Sequence, residues 1–287
     1  MTEKASIQIR TMTCMALSLA IVCSVQTTAV LPASPRIFQQ AAPAQGQFQP
    51  QVGQAGKDVV WVPTPQALVD KMLEMAKVTP KDYVIDLGSG DGRTVITAAK
   101  HGSKALGIEY NPDMVELSKR NAVKEGVADK ATFMKADLFE SDFSQAQVIT
   151  MFLLPSINIK LRPKILNLKP GTRIVSNTFD MEDWKADETA NVEGCMNWCT
   201  AHLWIVPAKV EGTWKTPQGE LVLKQSFQML TGTLKNGNVA APISNAKMTG
   251  DQITFTAAGT QYTGHVNGNS IEGTVGGNKW NATRSGK

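Results

Sequence analysis

Ten residues, Val84-Ile85-Asp86-Leu87-Gly88-Ser89-Gly90-Asp91-Gly92-Arg93, constrain the fold of this chain more than any others. An apolar run of strand length enters a glycine-rich turn, and helical spacing follows it. The same alternation continues downstream. Strands are predicted over 83–87, 105–109, 131–136, 147–154 and 173–178, and helices over 92–101, 112–126 and 157–168. Strands alternating with helices imply a parallel sheet covered on both faces. Asn111-Pro112 reads as a helix cap followed by a first-turn proline, and Thr64-Pro65 repeats that signal before Leu68, Met72, Met75 and Ala76. The stretch 188–207 would supply antiparallel strands that close the sheet.

Acids stand at the ends of the first three strands: Asp86, then Glu109 in Leu106-Gly107-Ile108-Glu109-Tyr110, then Asp137 in Phe133-Met134-Lys135-Ala136-Asp137-Leu138. A glycine turn alone would suit a dinucleotide, but that pattern needs its third glycine where Arg93 stands. A pyrophosphate would also be repelled by Asp86 and Asp91. A ligand carrying an ammonium and a sulfonium is instead attracted, which selects S-adenosylmethionine over NAD. Gly88 and Gly90 would let the backbone approach its methionine part, and Asp86 would help hold its amino group. Glu109 would accept both ribose hydroxyls. Asp137 would accept the adenine amino group, with the Leu138 amide nearby. Thr64 and Ser89 complete the cofactor-binding candidates. Glu109 or Asp137 alone could be a strand cap, whereas three acids in register argue for a site.

Further segments carry a resemblance: Val62-Pro63-Thr64-Pro65, the Asp86–Arg93 turn, Asp137-Leu138-Phe139, Phe152-Leu153-Leu154-Pro155 with Leu161-Arg162-Pro163, and Lys169-Pro170-Gly171-Thr172-Arg173-Ile174-Val175-Ser176. Over 58–188 the chain resembles the protein-lysine methyltransferases that include mitochondrial enzymes acting on the ATP synthase c-subunit and the adenine nucleotide translocase. The resemblance implies a seven-stranded class I methyltransferase domain, with a protein lysine among the candidate acceptors. It also implies that Phe152 and Pro155, the catalytic candidates, lie in the segment presenting the acceptor. The chain departs from the family at Phe152, where a tyrosine is expected. A lysine, ordinarily near pKa ~10.4, must lose a proton before it attacks. Phe152–Pro155 contains no His, Asp or Glu to take it, so desolvation by Phe152, Leu153 and Trp184 is the candidate means. A small-molecule or lipid acceptor stays open, as does an exported nucleoside-binding protein without catalysis.

The rest of the chain divides by composition. Lys4 and Arg10 precede an apolar stretch from Met12 to Val25, so 1–33 reads as a signal peptide or signal anchor. Export, a periplasmic or inner-membrane location and membrane association through this segment are expected, with a cytoplasmic location as the alternative. Residues 34–57, rich in Gln, Ala, Pro and Gly, read as a disordered linker to a methyltransferase domain at 58–209. Twelve of the 23 glycines follow Val210, and Leu221, Leu223, Phe227 and Met229 keep strand alternation. The expected fold class is therefore α/β: a Rossmann-like sheet with helices on both faces, followed by a small antiparallel β meander or barrel at 210–287. That β-rich unit reads as folding independently. Three histidines without ligand spacing give no metal expectation. Net charge is +4, and Lys160, Arg162, Lys164, Lys169 and Arg173 read as a solvated helix face rather than a specific nucleic-acid patch. A Cys195–Cys199 disulfide would require a turn at Met196-Asn197-Trp198, because in a strand the two residues would lie ~13 Å apart.

Overall fold

A computed structural model describes residues 48–286. The readings of the N-terminal charged and apolar run and of most of the linker fall on residues 1–47, outside the described residues. Seven strands form one sheet: β1 (Tyr83–Leu87), β2 (Lys104–Glu109), β3 (Ala131–Lys135), β4 (Val148–Met151), β5 (Arg173–Asn177), β6 (Glu188–Asn191) and β7 (Thr200–Ile205). Their order is β3-β2-β1-β4-β5-β7-β6. The first five pair in parallel, and β7 runs antiparallel to β5 and β6.

The helices are α1 (Gln66–Met75), α2 (Arg93–Lys100), α3 (Pro112–Lys124) and α4 (Pro155–Ile165). On one face of the sheet Leu68 and Leu73 of α1, Val95 of α2 and Val115 of α3 pack with Val84, Val148 and Val175. On the other, Ile157, Leu161 and Ile165 of α4 pack with Ile85, Ile149, Ile174, Trp184 and Trp204. Burial on both faces explains why the central strands read as continuous apolar runs. The chain leaves β1 toward β2 and β3, then returns to β4 on the other side. A crevice opens at such a reversal, beyond the carboxyl ends of the strands.

Local signals succeed at one helix and fail at another. Asn111 Oδ1 accepts from the Asp113 N–H at 2.9 Å and Pro112 opens α3, as the cap reading expects. Thr64 does not cap α1. Its hydroxyl accepts from Asn177 Nδ2 at 3.2 Å, and the helix starts after Pro65 without a side-chain cap. The strand expected over 147–154 stops at Met151, and α4 begins at Pro155 rather than 157, since a first-turn proline lacks only an N–H that would have no helical partner.

Eight further strands follow: β8 (Gly212–Thr216), β9 (Gly219–Ser226), β10 (Met229–Asn236), β11 (Val239–Thr249), β12 (Gln252–Ala257), β13 (Thr260–Asn267), β14 (Ser270–Val275) and β15 (Asn278–Arg284). They close into an antiparallel barrel through Thr283↔Lys215 and Arg284↔Trp214. Trp214, Leu221, Met248, Phe255, Ile271 and Trp280 belong to its own core, as in small barrels whose interior is filled by side chains.

The barrel is seamed to the sheet. Phe227, in the β9–β10 turn, stacks on the fully buried Trp184 at 5.8 Å, and the Arg162 guanidinium lies 5.2 Å from the same ring. Gln228 Nε2 donates to Lys185 O at 2.8 Å, and Lys247 pairs with Asp187 at 2.8 Å. Phe227→Ala should therefore destabilise the whole protein by about 2–3 kcal/mol in urea unfolding. A loss under about 1 kcal/mol would mean that the ring adds little to the seam.

One expectation is corrected. Among the described residues no helix is long and apolar enough to cross a membrane. The longest, α3, has 13 residues against the ~20 required. Nothing described supports the signal peptide, export, or membrane association through the N-terminal segment, and the segment behind those readings, 1–33, lies outside the described residues.

Candidate active site

The crevice at the strand ends is one cavity whose wall includes Thr64, Asp86, Gly88, Ser89, Gly90, Glu109, Asp137 and Leu138. The fold thus brings together every cofactor-binding candidate. Of the two catalytic candidates, Phe152 lines the cavity and Pro155 does not; Pro155 opens α4 just beyond it.

Each acid is held differently. Asp86, near the end of β1, is buried and accepts from Thr150 Oγ1 at 2.7 Å. Burial, aided by the Glu109 and Asp91 charges and opposed by the Thr150 hydroxyl, pushes its carboxyl up to about 7. Glu109 is clamped by backbone: Gly90 N–H donates to Oε2 at 3.0 Å and Asn111 N–H to Oε1 at 2.9 Å. Each oxygen keeps a second lone pair. Asp137 accepts from Lys57 Nζ at 2.5 Å and from Phe139 N–H at 2.9 Å. The Lys57 ammonium holds the Asp137 carboxyl below its ordinary range, and Asp137 raises the Lys57 amine in return.

The turn leaves no room for a side chain at two of its glycines. Gly90 has φ +53°, and a Cβ there would meet Trp61 Nε1 at 2.7 Å. At Gly92, φ +83°, a Cβ would meet Phe133 at 2.7 Å. Arg93, where a dinucleotide loop needs glycine, grips Asp91 through Nε at 3.0 Å and Nη2 at 2.6 Å, and donates to Thr64 O at 2.8 Å. It neutralises one acid of the turn and ties the approach to α1 onto it.

Several wall residues escaped the sequence reading. Gln54–Lys57, at the end of the stretch read as linker, lie against the cavity with Trp61, and a bridge between Ala55 and Val60 closes their turn. Tyr110, Phe179 and Trp198 also line it. Tyr110 adjoins Glu109 and could have been suspected; the other two come from loops after β5 and β6 and carry no motif. Trp184, expected to desolvate the acceptor, lies instead in the core against Trp204 and Phe227. Part of the basic run is engaged by neighbouring residues: Lys160, itself exposed, sits 3.8 Å above the Phe139 ring, Lys164 donates to Phe139 O at 3.2 Å, and Arg173 pairs with Asp82.

This donor set fits S-adenosylmethionine. The strand-end carboxylates line a cavity whose turn admits no side chain at Gly90 or Gly92, and the buried Ser89 hydroxyl in that turn has no hydrogen-bond partner among the described residues. Fold and site define a class I S-adenosylmethionine-dependent methyltransferase. Residues 86–188 match the ANTKMT methyltransferase domain family. A protein-lysine N-methyltransferase of Saccharolobus islandicus (strain REY15A) is 46% identical over 152 residues, 52% of this chain and 94% of that protein. The chain belongs to this family of methyltransferases. The ATP synthase c-subunit lysine N-methyltransferase of Rattus norvegicus is 35% identical over 130 residues, covering 45% of this chain and 60% of that protein. The structure of an RNA methyltransferase from Salinibacter ruber with S-adenosyl-L-homocysteine is 48% identical, covers 52% of this chain and 96% of that one, and has a TM-score of 0.49. The barrel follows the matched family domain, which ends at residue 188.

Proposed function

We propose that this protein transfers a methyl group from S-adenosylmethionine to the side-chain amine of a protein lysine. The observation that carries the reading is one cavity joining three strand-end carboxylates to an aromatic mouth at Phe152, Phe179 and Trp198. The lysine methyltransferases among its relatives supply the acceptor class.

In this reading Asp86 holds the cofactor's ammonium, Glu109 accepts from its ribose hydroxyls, and Asp137 with Leu138 receives the adenine edge. Gly88 and Gly90 allow close backbone approach, with Thr64 and Ser89 beside them. The bound cofactor supplies a methyl group on a positively charged sulfur; an amine lone pair takes that methyl while the C–S electron pair returns to sulfur, leaving a neutral thioether and a methylated ammonium. The protein's work is to align the amine and exclude water. Phe152 and the buried Leu153 provide the dry approach, and the Phe152–Pro155 segment presents the acceptor.

No histidine lines the cavity among the described residues, and each of its five acids is already engaged: Asp58 and Asp137 with Lys57, Asp91 with Arg93, Asp86 with Thr150, and Glu109 with two backbone N–H groups. The acceptor's proton therefore leaves to solvent. With the cofactor saturating, kcat/KM for a lysine acceptor should climb about tenfold per pH unit from ~7 to ~9, toward the amine's own pKa. A flat profile would indicate a protein base.

The direct test is calorimetry of the whole chain with S-adenosylmethionine, its demethylated product and NAD, followed by labelled methyl incorporation into poly-L-lysine and into RNA. Binding of the first two and label in poly-L-lysine is the expected result. Tighter NAD binding would sink the cofactor reading, and label in RNA alone would sink the acceptor.

A further inference from the structure

Three rings meet at the open side of the cavity. Phe152 and Phe179 have centroids 5.9 Å apart, Phe152 and Trp198 5.7 Å, and Phe179 and Trp198 5.5 Å. They come from three separate loops, after β4, after β5 and between β6 and β7. Exposure grades along the wall: Leu153 beside the Gly88 turn is buried, Phe152 and Phe179 are half-buried, and Trp198 is 40% exposed. The rings thus pack together as one wall of the mouth, grading in exposure from solvent toward the turn.

Two features show that the backbone is held to keep them there. Thr178, which precedes Phe179, has φ +59°, and Trp198 itself has φ +58°. Residues with side chains occupy this left-handed region at a cost and persist there only when their surroundings enforce it. At Thr178 the enforcement is a hydrogen bond from its N–H to Thr200 O at 2.7 Å, and His202 Nε2 contacts its carbonyl at 3.2 Å. At Trp198 it is covalent: a disulfide joins Cys195 to Cys199, with Cα atoms 5.7 Å apart, and closes the turn that carries the indole.

We propose that Phe152, Phe179 and Trp198 form an acceptor subsite for an alkylammonium group, admitting a lysine side chain and its methylated products through cation–π attraction, with the Cys195–Cys199 bridge positioning the third ring. The assignment rests on the lysine reading and sharpens it. Aromatic faces attract a cation within ~6 Å of the ring centroid, more strongly where water is partly excluded. Each methyl added to the nitrogen removes an N–H that water would bind and leaves the charge, so such a site holds a partly methylated lysine at least as well as a fresh one. The protein would then carry one amine through successive methylations.

A nucleobase is the competing occupant, because bases also stack on aromatic side chains. The geometry disfavours a base sandwiched between the rings. A base held between two rings needs about 7 Å, twice the ordinary van der Waals contact. The near-parallel pair, Phe152 and Phe179 at 22°, stands at only 5.9 Å, and Trp198 is tilted 57° and 50° to them.

The test separates this subsite from the cofactor assignment. Choline and its neutral isostere 3,3-dimethylbutan-1-ol are titrated into the cofactor-free whole protein while the indole N–H resonance of Trp198, assigned by its loss in Trp198→Phe, is followed by NMR. A saturable shift with choline, at least fivefold larger than with the alcohol, is expected. Equal responses, or none, would overturn the proposal whether or not the protein binds S-adenosylmethionine. In the kinetic arm Trp198→Ala should raise KM for poly-L-lysine at least tenfold, leave the cofactor Kd within twofold, and be rescued to within threefold by Trp198→Phe. An unchanged KM would assign the ring to packing alone. The paired variant Cys195→Ser/Cys199→Ser should raise the same KM at least threefold without moving the cofactor Kd. A choline shift without methylation of poly-L-lysine would keep the subsite and dismiss the lysine acceptor.

Discussion

Asp86→Asn should make the cofactor-free protein more heat-stable at pH 8 and cost it most of its affinity for S-adenosylmethionine. The carboxyl is buried, and its pKa rises in the fold to about 7 from 3.8. An acid whose pKa is raised binds more protons folded than unfolded between those values. Its stabilising contribution is complete below the unfolded pKa and lost as pH climbs through the folded one. At pH 8 the wild-type protein thus carries a buried charge that Asn lacks, while the Asn amide oxygen can still accept from Thr150 Oγ1. The gain has a ceiling of about 4 kcal/mol, from three pKa units at ~1.36 kcal/mol each. The loss in binding follows from the same charge, because a hydrogen-bonded ion pair contributes ~1.5–3 kcal/mol. Wild-type affinity should also strengthen as pH rises from 6 to 8 and Asp86 ionises, and the variant should lose that dependence. Thermal scans and calorimetry at both pH values check each part. A variant less stable than wild type at pH 8, or one binding the cofactor equally well, would contradict the account.

Glu109→Gln should weaken cofactor binding by about 10- to 100-fold, although the side chain keeps its shape. Both carboxylate oxygens accept from backbone N–H groups, those of Gly90 and Asn111. An amide has one accepting oxygen and must turn its NH2 toward the other donor. One N–H at the turn is left facing a donor, and one ribose hydroxyl loses an ionised acceptor, a charged hydrogen bond worth ~1.5–3 kcal/mol. The same conflict reaches the glycine turn through Gly90, so a modest drop in melting temperature is expected without cofactor. Full affinity in calorimetry would place the ribose elsewhere.

The strand-end acids of this cavity were legible in the sequence and the aromatic rings at its mouth were not. Asp86, Glu109 and Asp137 each close a strand of a parallel sheet, and such strands begin and end together, so linear spacing translates into a shared rim. Phe179 and Trp198 owe their positions to two left-handed residues and a disulfide. Those features belong to loop geometry and leave no period in the sequence. Trp184 misled for a related reason: it follows the strand whose end carries Phe179, but the barrel buries it from the other side through Phe227. Thr64 was a cap by pattern and became a hydrogen-bond acceptor for Asn177 because a distant strand end reached it first. Composition misread Gln54–Lys57, which gain a partner surface that a linker reading cannot anticipate.

The Lys57 ammonium lies on Asp137 and 4.9 Å from the Tyr110 ring centroid, at the end of the cavity assigned to adenine. Both partners are about one-third exposed, so dissolved ions reach the pair and weaken it. Asp86, buried at the opposite end, is shielded from them. In the proposed binding mode, ionic strength acts unequally along one ligand, loosening the cation that a nucleoside would have to displace while sparing the contact that would hold the amino acid end.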